Sequence, residues 1–232
     1  MTAQELSSEP EKPLFEILGF FFALVVSLIS ALALAYTLAD RFDFALMSAS
    51  LDKAVPYLDK LPWYLSRASG AVAYLVLSAS TAWGLLLNTK LVKSAVPAPL
   101  TLAMHNYLGW NSLVFSALHG FVLLFDKYYT FTFSNLLIPF SGPYKPLWVG
   151  VGILAFYLIL LTTLSFYVRA WIGQKTWRRL HFLTFPLYGM ASLHGLQAGT
   201  DSGILRTVYL GSAILIVFLT VYRVLAARSA RA

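Results

Sequence analysis

Six long apolar runs constrain the fold of this chain more than any other feature of its sequence. A helix that crosses the hydrocarbon core of a bilayer needs about 20 predominantly apolar residues. The runs that approach or exceed this length are Leu14–Leu38, Gly70–Asn88, Leu100–Phe125, Leu147–Val168, Leu180–Ala198 and Ile204–Leu225. None shows the alternation of a transmembrane β-strand, and only 12% of the 232 residues are charged. The sequence therefore predicts an all-α integral membrane protein, a bundle of six transmembrane helices.

The first run could be a signal peptide or a retained helix. Its apolar core is longer than the roughly 7–15 residues of a signal sequence. The residues before it are mostly acidic rather than basic, with Glu5, Glu9 and Glu11. We therefore expect a retained helix; the alternative, cleavage near Ala35, would leave five helices.

The distribution of Lys and Arg predicts the orientation, because cytoplasmic loops carry an excess of both. Ten lie on the predicted inner side: Lys12, Lys90, Lys93, Arg169, Lys175, Arg178, Arg179, Arg223, Arg228 and Arg231. The opposite side holds the other seven of the 17. We expect a multi-pass protein of the inner cell membrane with both termini in the cytoplasm. Residues 1–13 would be a disordered tail, 14–225 the membrane domain and 226–232 a cytoplasmic tail.

Two further features limit the chemistry. The chain has no cysteine, which excludes cysteine-ligated clusters, covalently attached haem, disulfides and thiol catalysis. The net charge of +7 is accounted for by the basic inner rim, so we expect membrane lipid and no nucleic acid as a partner.

The long loop 39–69 contains "LDKAVPYLDKLPWYLSR", which predicts either a short interfacial helix or an ordinary loop with aromatic residues at the membrane surface.

All four histidines of the chain fall within predicted spans. His105 and His119 belong to the third span, and His181 and His194 belong to the fifth. An ionisable residue inside a membrane is expensive and is a functional candidate by default. The histidines could also form hydrogen bonds or a proton path in a haem-free channel, transporter or scaffold, and a colourless purified protein would favour that alternative.

The spacing of the histidines favours two facing pairs. Fourteen residues make close to four helical turns, so His105 and His119 share one face about 21 Å apart. The third and fifth spans run in the same direction, which places His105 opposite His181 and His119 opposite His194. Each pair can hold one planar metal macrocycle from both axial positions. The step of thirteen leaves His194 roughly 140° off the face of His181 in an ideal helix, and we expect Pro186 to distort the helix and correct this.

Small and basic residues near the histidines are further candidates for cofactor binding. Gly109, Gly120 and Gly195 lie close in sequence to the histidines, and a porphyrin requires close approach of the backbone; helix packing alone is the alternative explanation. Arg178 and Arg179 directly precede the fifth span and could pair with haem propionates. They could equally be positive-inside residues that set only the topology.

The pattern resembles the ferric reductase-like transmembrane domain, which NADPH oxidases, ferric-chelate reductases and bacterial relatives share. The resemblance covers residues 14–225 and is carried by the six spans, the two histidine pairs and "WRRLHFLTF" at 177–185. It implies that His105 and His181 ligate an inner b-type haem and that His119 and His194 ligate an outer one. We call these the inner pair and the outer pair.

The resemblance also implies transmembrane electron transfer. Oxidases of the family continue past the sixth span into a flavin domain, whereas we expect none here. The sequence is closer to stand-alone bacterial members, including the haem subunit of a periplasmic methionine sulfoxide reductase. Electrons would come from a separate flavoprotein reductase or from membrane quinol. They would leave to ferric iron, oxygen or another small acceptor, or to a periplasmic protein. The sequence leaves the donor and the acceptor open.

Overall fold

The structure is a computed structural model that describes residues 60–87, 97–199 and 203–229, with side chains described over 205–226 in the last range. The predicted tail 1–13, the predicted first span Leu14–Leu38 and most of the loop 39–69 lie outside the described residues. Over the described ranges the chain is helical and contains no strand. The helices are α1 Leu61–Leu86, α2 Ala98–Val122, α3 Phe133–Leu137, α4 Pro146–Ser165, α5 Arg169–Ile172, α6 Gln174–His181, α7 Thr184–Ala198 and α8 Gly203–Ser229.

Four of these helices are long and apolar enough to cross a membrane. They are α1, α2 with its 3₁₀ extension to Phe125, α4, and the segment Leu205–Ala226 of α8. The prediction of an all-helical membrane protein is confirmed at this level. The predicted fifth span does not meet the criterion, because it is divided between α6 and α7.

Helix α1 begins at Leu61, nine residues before the predicted span that starts at Gly70. Pro62 lies at the first turn, where its missing N–H costs no hydrogen bond. Ser66 and Ser69 in the next turn are buried, and these polar residues lowered the hydropathy on which the prediction depended. The described part of the proposed interfacial helix, residues 61–67, is therefore the start of α1 and not a separate element.

The interruption of the fifth span lies just before Pro186. The proline ring clashes with the carbonyl four residues earlier, that of Phe182. Helix α6 ends at His181 and α7 begins at Thr184. Between them the Leu183 N–H donates to Leu180 O at 2.9 Å and the Phe185 N–H donates to Phe182 O at 3.2 Å, which is the i→i−3 pattern of a 3₁₀ turn. The distortion expected from the proline is present.

Helices α1 and α4 form the two walls that hold the histidine-bearing helices. Helix α1 packs along α2 and also against α7 and α8, and α4 packs against both α2 and α7. Helices α2 and α7 are not among the closely packed pairs. Buried side chains from five helices form the core between the walls, among them Tyr74, Leu113, Ile159, Leu187 and Ile216.

The packing of α7 on α8 can be tested by substitution of two glycines inside α7, Gly195 and Gly189. A Cβ on Gly195 would lie 2.9 Å from the ring of Tyr209, whereas a Cβ on Gly189 would meet nothing within 4 Å among the described atoms. Both changes to Ala gain the same helix propensity, so only the contact with Tyr209 distinguishes them. We expect Gly195→Ala to be destabilised relative to Gly189→Ala by about 1–3 kcal/mol, measured by thermal unfolding in detergent. Equal melting temperatures would contradict this packing.

Candidate imidazole-pair site

Helix α1 carries the same short motif twice, and each copy receives one histidine of α2. Ser66 and Gly70 form the first copy, and Ser80 and Gly84 form the second. Fourteen residues separate the copies (84 − 70), the same spacing as between His105 and His119 (119 − 105). The helices run antiparallel, because Gly70 meets His119 and Gly84 meets His105.

In both copies the imidazole hydrogen-bonds to a backbone carbonyl of α1. His119 Nδ1 lies 2.7 Å from Ser66 O, and His105 Nδ1 lies 3.1 Å from Ser80 O. A carbonyl oxygen can only accept, so Nδ1 carries the proton and donates in each bond. The serine hydroxyls add contacts to the same nitrogens, at 3.2 Å for Ser66 and 3.4 Å for Ser80.

A glycine four residues after the accepting carbonyl makes room for each ring. In a helix the side chain at a given position covers the turn before it, so residue n+4 shields the carbonyl of residue n. A Cβ on Gly70 would lie 2.7 Å from His119 Nδ1, and one on Gly84 would lie 3.0 Å from His105 Cε1. These glycines expose the carbonyls of Ser66 and Ser80 to the imidazoles.

His194 on α7 is held in the same way by the other wall. Its Nδ1 lies 2.9 Å from Trp148 O on α4. The residue four positions later is Gly152, where a Cβ would lie 2.5 Å from His194 Nδ1. Three of the four histidines therefore share one arrangement: Nδ1–H donates to the carbonyl of residue n, and residue n+4 is glycine.

His181 is the exception. It is the last residue of α6, and its ring stacks on Trp177 with centroids 5.2 Å apart. Within the part of the chain that the structure describes, His181 Nδ1 and Trp177 Nε1 are buried without a hydrogen-bond partner. The inner pair is thus anchored at one imidazole and the outer pair at both.

Across the gap between α2 and the α6–α7 segment, the four rings form two matched pairs. The ring centroids of His105 and His181 lie 5.9 Å apart with an interplanar angle of 76°. Those of His119 and His194 also lie 5.9 Å apart, at 75°. With Nδ1 donating to a carbonyl, the unprotonated Nε2 of His105, His119 and His194 is left with its lone pair for a metal, the tautomer that histidine ligands adopt.

Each pair offers two imidazoles as candidate metal ligands. Among the described residues no group of three or more His, Asp and Glu side chains lies together to hold a metal ion. Asp126 is the single carboxylate in those ranges, and it accepts from the backbone of Tyr128 and Tyr129. Two imidazoles do not complete the coordination of a metal ion, so a metal held by such a pair would need further ligands besides the described side chains.

The other candidate residues are spread around the pairs. Gly109 and Gly120 on α2 face open space, with nothing described within 4 Å of an added Cβ, whereas Gly195 accommodates Tyr209. Arg178 and Arg179 are exposed near the end of α6, three and two residues before His181, respectively. Their role in cofactor binding stays a prediction.

The sequence prediction missed Gly70, Gly84, Gly152 and Arg223. The first three come from helices without histidine, and the repeat of Ser-x3-Gly at the histidine spacing was the signal that could have revealed two of them. Arg223 on α8 donates from Nη1 to the carbonyls of Gly84 and Leu85 at 3.0 and 3.2 Å. It places a cation at the end of α1, where such a charge is favourable, next to the glycine that contacts His105.

Comparisons with protein-family models, with curated proteins and with solved structures give no match for this chain.

The carbonyl contacts predict the tautomers of the imidazoles. We expect His105, His119 and His194 in the metal-free protein to be neutral with the proton on Nδ1, because a backbone carbonyl accepts from that atom. Nitrogen-15 NMR of the imidazoles in lipid distinguishes the two tautomers. The variants His105→Gln, His119→Gln and His194→Gln assign the signals, and an Nε2–H tautomer at any of the three would contradict the described hydrogen bonds.

Proposed function

We propose that the inner and outer pairs each bind one b-type haem and that the protein transfers electrons across the membrane. Support comes from the resemblance of the histidine pattern to the ferric reductase-like transmembrane domain and from the geometry of the pairs. When bound, a haem supplies reversible one-electron chemistry at its iron. The observation that carries the proposal is the repeated facing of two imidazoles at equal separation.

The separation of the rings fits a metal bound between them. If the two imidazoles of a pair held one metal ion between them through nitrogen–metal bonds of about 2.0–2.1 Å, with each ring centre about 1.1 Å beyond its nitrogen, their centroids would lie about 6.3 Å apart. The centroids lie 5.9 Å apart in both pairs. Helices α2 and α7 do not pack closely on each other, so the imidazoles extend across a gap between them.

The chain's own residues hold and orient the ligands. Hydrogen bonds from Nδ1–H to the carbonyls of Ser80, Ser66 and Trp148 keep three rings from rotating. They also raise the basicity of Nε2, which strengthens its bond to a metal. Buried apolar residues such as Leu113, Ile159 and Leu187 exclude water from the core of the bundle.

We propose that electrons enter at the inner end, from quinol or a partner flavoprotein, and leave at the outer face. The resemblance to stand-alone bacterial members supports this direction, and a periplasmic reductase such as a methionine sulfoxide reductase is one candidate acceptor. The six-span topology and the cytoplasmic location of both termini are part of the same proposal.

Haem stoichiometry and the reduced-minus-oxidised absorption spectrum test the proposal. We expect two b-type haems per purified chain. His119→Ala removes a ligand of the outer pair only, so it should lose one haem and keep the inner one. Asn111→Ala, on the same helix but outside the pairs, is the control and should keep both. A colourless protein would contradict haem binding, and retention of both haems in His119→Ala would contradict the pairing.

Substitution of Gly152 or Gly84 should weaken haem binding at one site only, and the affected site should differ between the two variants. Gly152→Ala pushes the His194 ring away from Trp148 O, and Gly84→Ala pushes the His105 ring away from Ser80 O. We expect a loss of haem affinity of about 10–100-fold, the usual range for removing a partner behind a metal ligand. The loss should fall on the outer haem in Gly152→Ala and on the inner haem in Gly84→Ala.

Titration of the apoprotein with haem, followed by redox potentiometry to identify the remaining site, measures this selectivity. Gly211→Ala on α8 is the matched control, because an added Cβ there meets nothing within 4 Å among the described atoms. Equal losses at both sites in the two variants would contradict the proposed role of the glycines.

A further inference from the structure

A buried polar cluster lies between the two imidazole pairs, where an apolar core would be expected. Its members are two tyrosines and two serines in matching positions: Tyr74 and Ser78 on α1, and Tyr188 and Ser192 on α7. All four are buried. Tyr74 lies between Gly70 and Gly84 on α1, and Tyr188 lies seven residues after His181 and six before His194. The cluster is therefore at middle depth.

The directions of the hydrogen bonds follow from the single proton of each serine hydroxyl. Ser78 Oγ donates to Tyr74 O at 2.8 Å, so it accepts from the Tyr188 hydroxyl at 3.1 Å. Ser192 Oγ donates to Tyr188 O at 2.8 Å, so it accepts from the Tyr74 hydroxyl at 2.9 Å. Each tyrosine thus reaches, through the serine of the opposite helix, the backbone carbonyl of the opposite tyrosine.

This reciprocal arrangement, which we call the Tyr–Ser clasp, joins two antiparallel helices through one pattern used twice. The two tyrosine rings stack with centroids 5.7 Å apart, and their hydroxyl oxygens lie 3.0 Å apart. The Oγ of Ser212 on α8 also lies 3.0 Å from the Tyr74 hydroxyl oxygen. Because lipid offers no alternative hydrogen-bond partners, such a cluster favours a single arrangement of the helices.

The clasp is part of the chain of contacts that connects the histidines of α2, through α1, to His194 on α7. His105 and His119 are anchored to carbonyls of α1, and α2 does not pack closely on α7. The contact between α1 and α7 therefore helps to set how far the imidazoles of α2 lie from His194. We propose that Tyr74 and Tyr188 are positioning residues that fix the separation and the mutual angle of the imidazole pairs.

The first experiment does not require haem. The absence of cysteine allows spin labels to be attached at Leu118→Cys on α2 and Leu193→Cys on α7, two exposed positions near the outer pair. We expect the double variant Tyr74→Phe/Tyr188→Phe to shift or broaden the distance distribution between the labels. Tyr222→Phe, which removes an exposed hydroxyl on α8, is the control and should leave the distribution unchanged.

The second experiment rests on the proposed function. Near-perpendicular imidazoles give ferric low-spin haem a strongly anisotropic electron paramagnetic resonance signal, and the interplanar angles here are 76° and 75°. We expect the double variant to retain its haem, with a less anisotropic signal and a shift in at least one of the two midpoint potentials. A wild-type protein without haem would refute the proposed function, while the spin-label distances would still test the clasp.

A purely structural role would lower the melting temperature and change nothing else. The loss of each pair of hydrogen bonds should lower it by about 2–4 °C. A lower melting temperature with an unchanged distance distribution and an unchanged haem signal would overturn the inference. If the double variant does not fold, Ser78→Ala and Ser192→Ala each break one half of the clasp, and the same two measurements then decide.

Discussion

The hydrogen bond from an imidazole Nδ1–H to a helix carbonyl is the interaction on which the site depends. A helix carbonyl already accepts from the N–H four residues later, and the side chain of that residue normally covers it. Glycine at that position opens the carbonyl to a second donor. The pattern occurs at Ser66, Ser80 and Trp148, each followed four residues later by glycine. A polar ring inside a membrane thereby acquires a partner for one nitrogen and a fixed orientation for the other.

The helices that surround the histidines matter as much to the site as the histidines themselves. Helices α2 and α7 carry three of the four histidines, yet α1 and α4 supply the carbonyls and the glycines. This division keeps α2 and α7 apart and leaves a space that the imidazoles cross. Small residues are common at helix interfaces in membranes because they let helices approach closely. Here small residues have a second role, because they let an imidazole ring approach the backbone of a neighbouring helix.

The two ends of the bundle are not equivalent. Both imidazoles of the outer pair are held by carbonyls, whereas His181 of the inner pair stacks on Trp177 and ends a short helix. Arg223 adds a cation beside the inner pair, and exposed Arg178 and Arg179 lie close by in sequence. Partners behind a ligand tune a metal's affinity and potential, so the two sites of the proposed electron path are expected to differ although their ligands are identical.

The sequence by itself determined the class of protein and four of the helices, and it singled out the four histidines whose rings the structure brings together in two pairs. Apolar length identifies membrane helices, and Pro186 predicts a distortion of the fifth span from its missing N–H; that the span divides into two helices was not predicted. The sequence also contained the matching intervals of fourteen residues, but periodicity within one helix does not say which helix lies opposite. Only the tertiary structure decided that Gly70, Gly84 and Gly152 face the imidazoles, and that α1 begins at Leu61. The physical reason is that these serines and glycines are buried by contacts with other helices. The hydropathy of a single apolar run does not report such contacts.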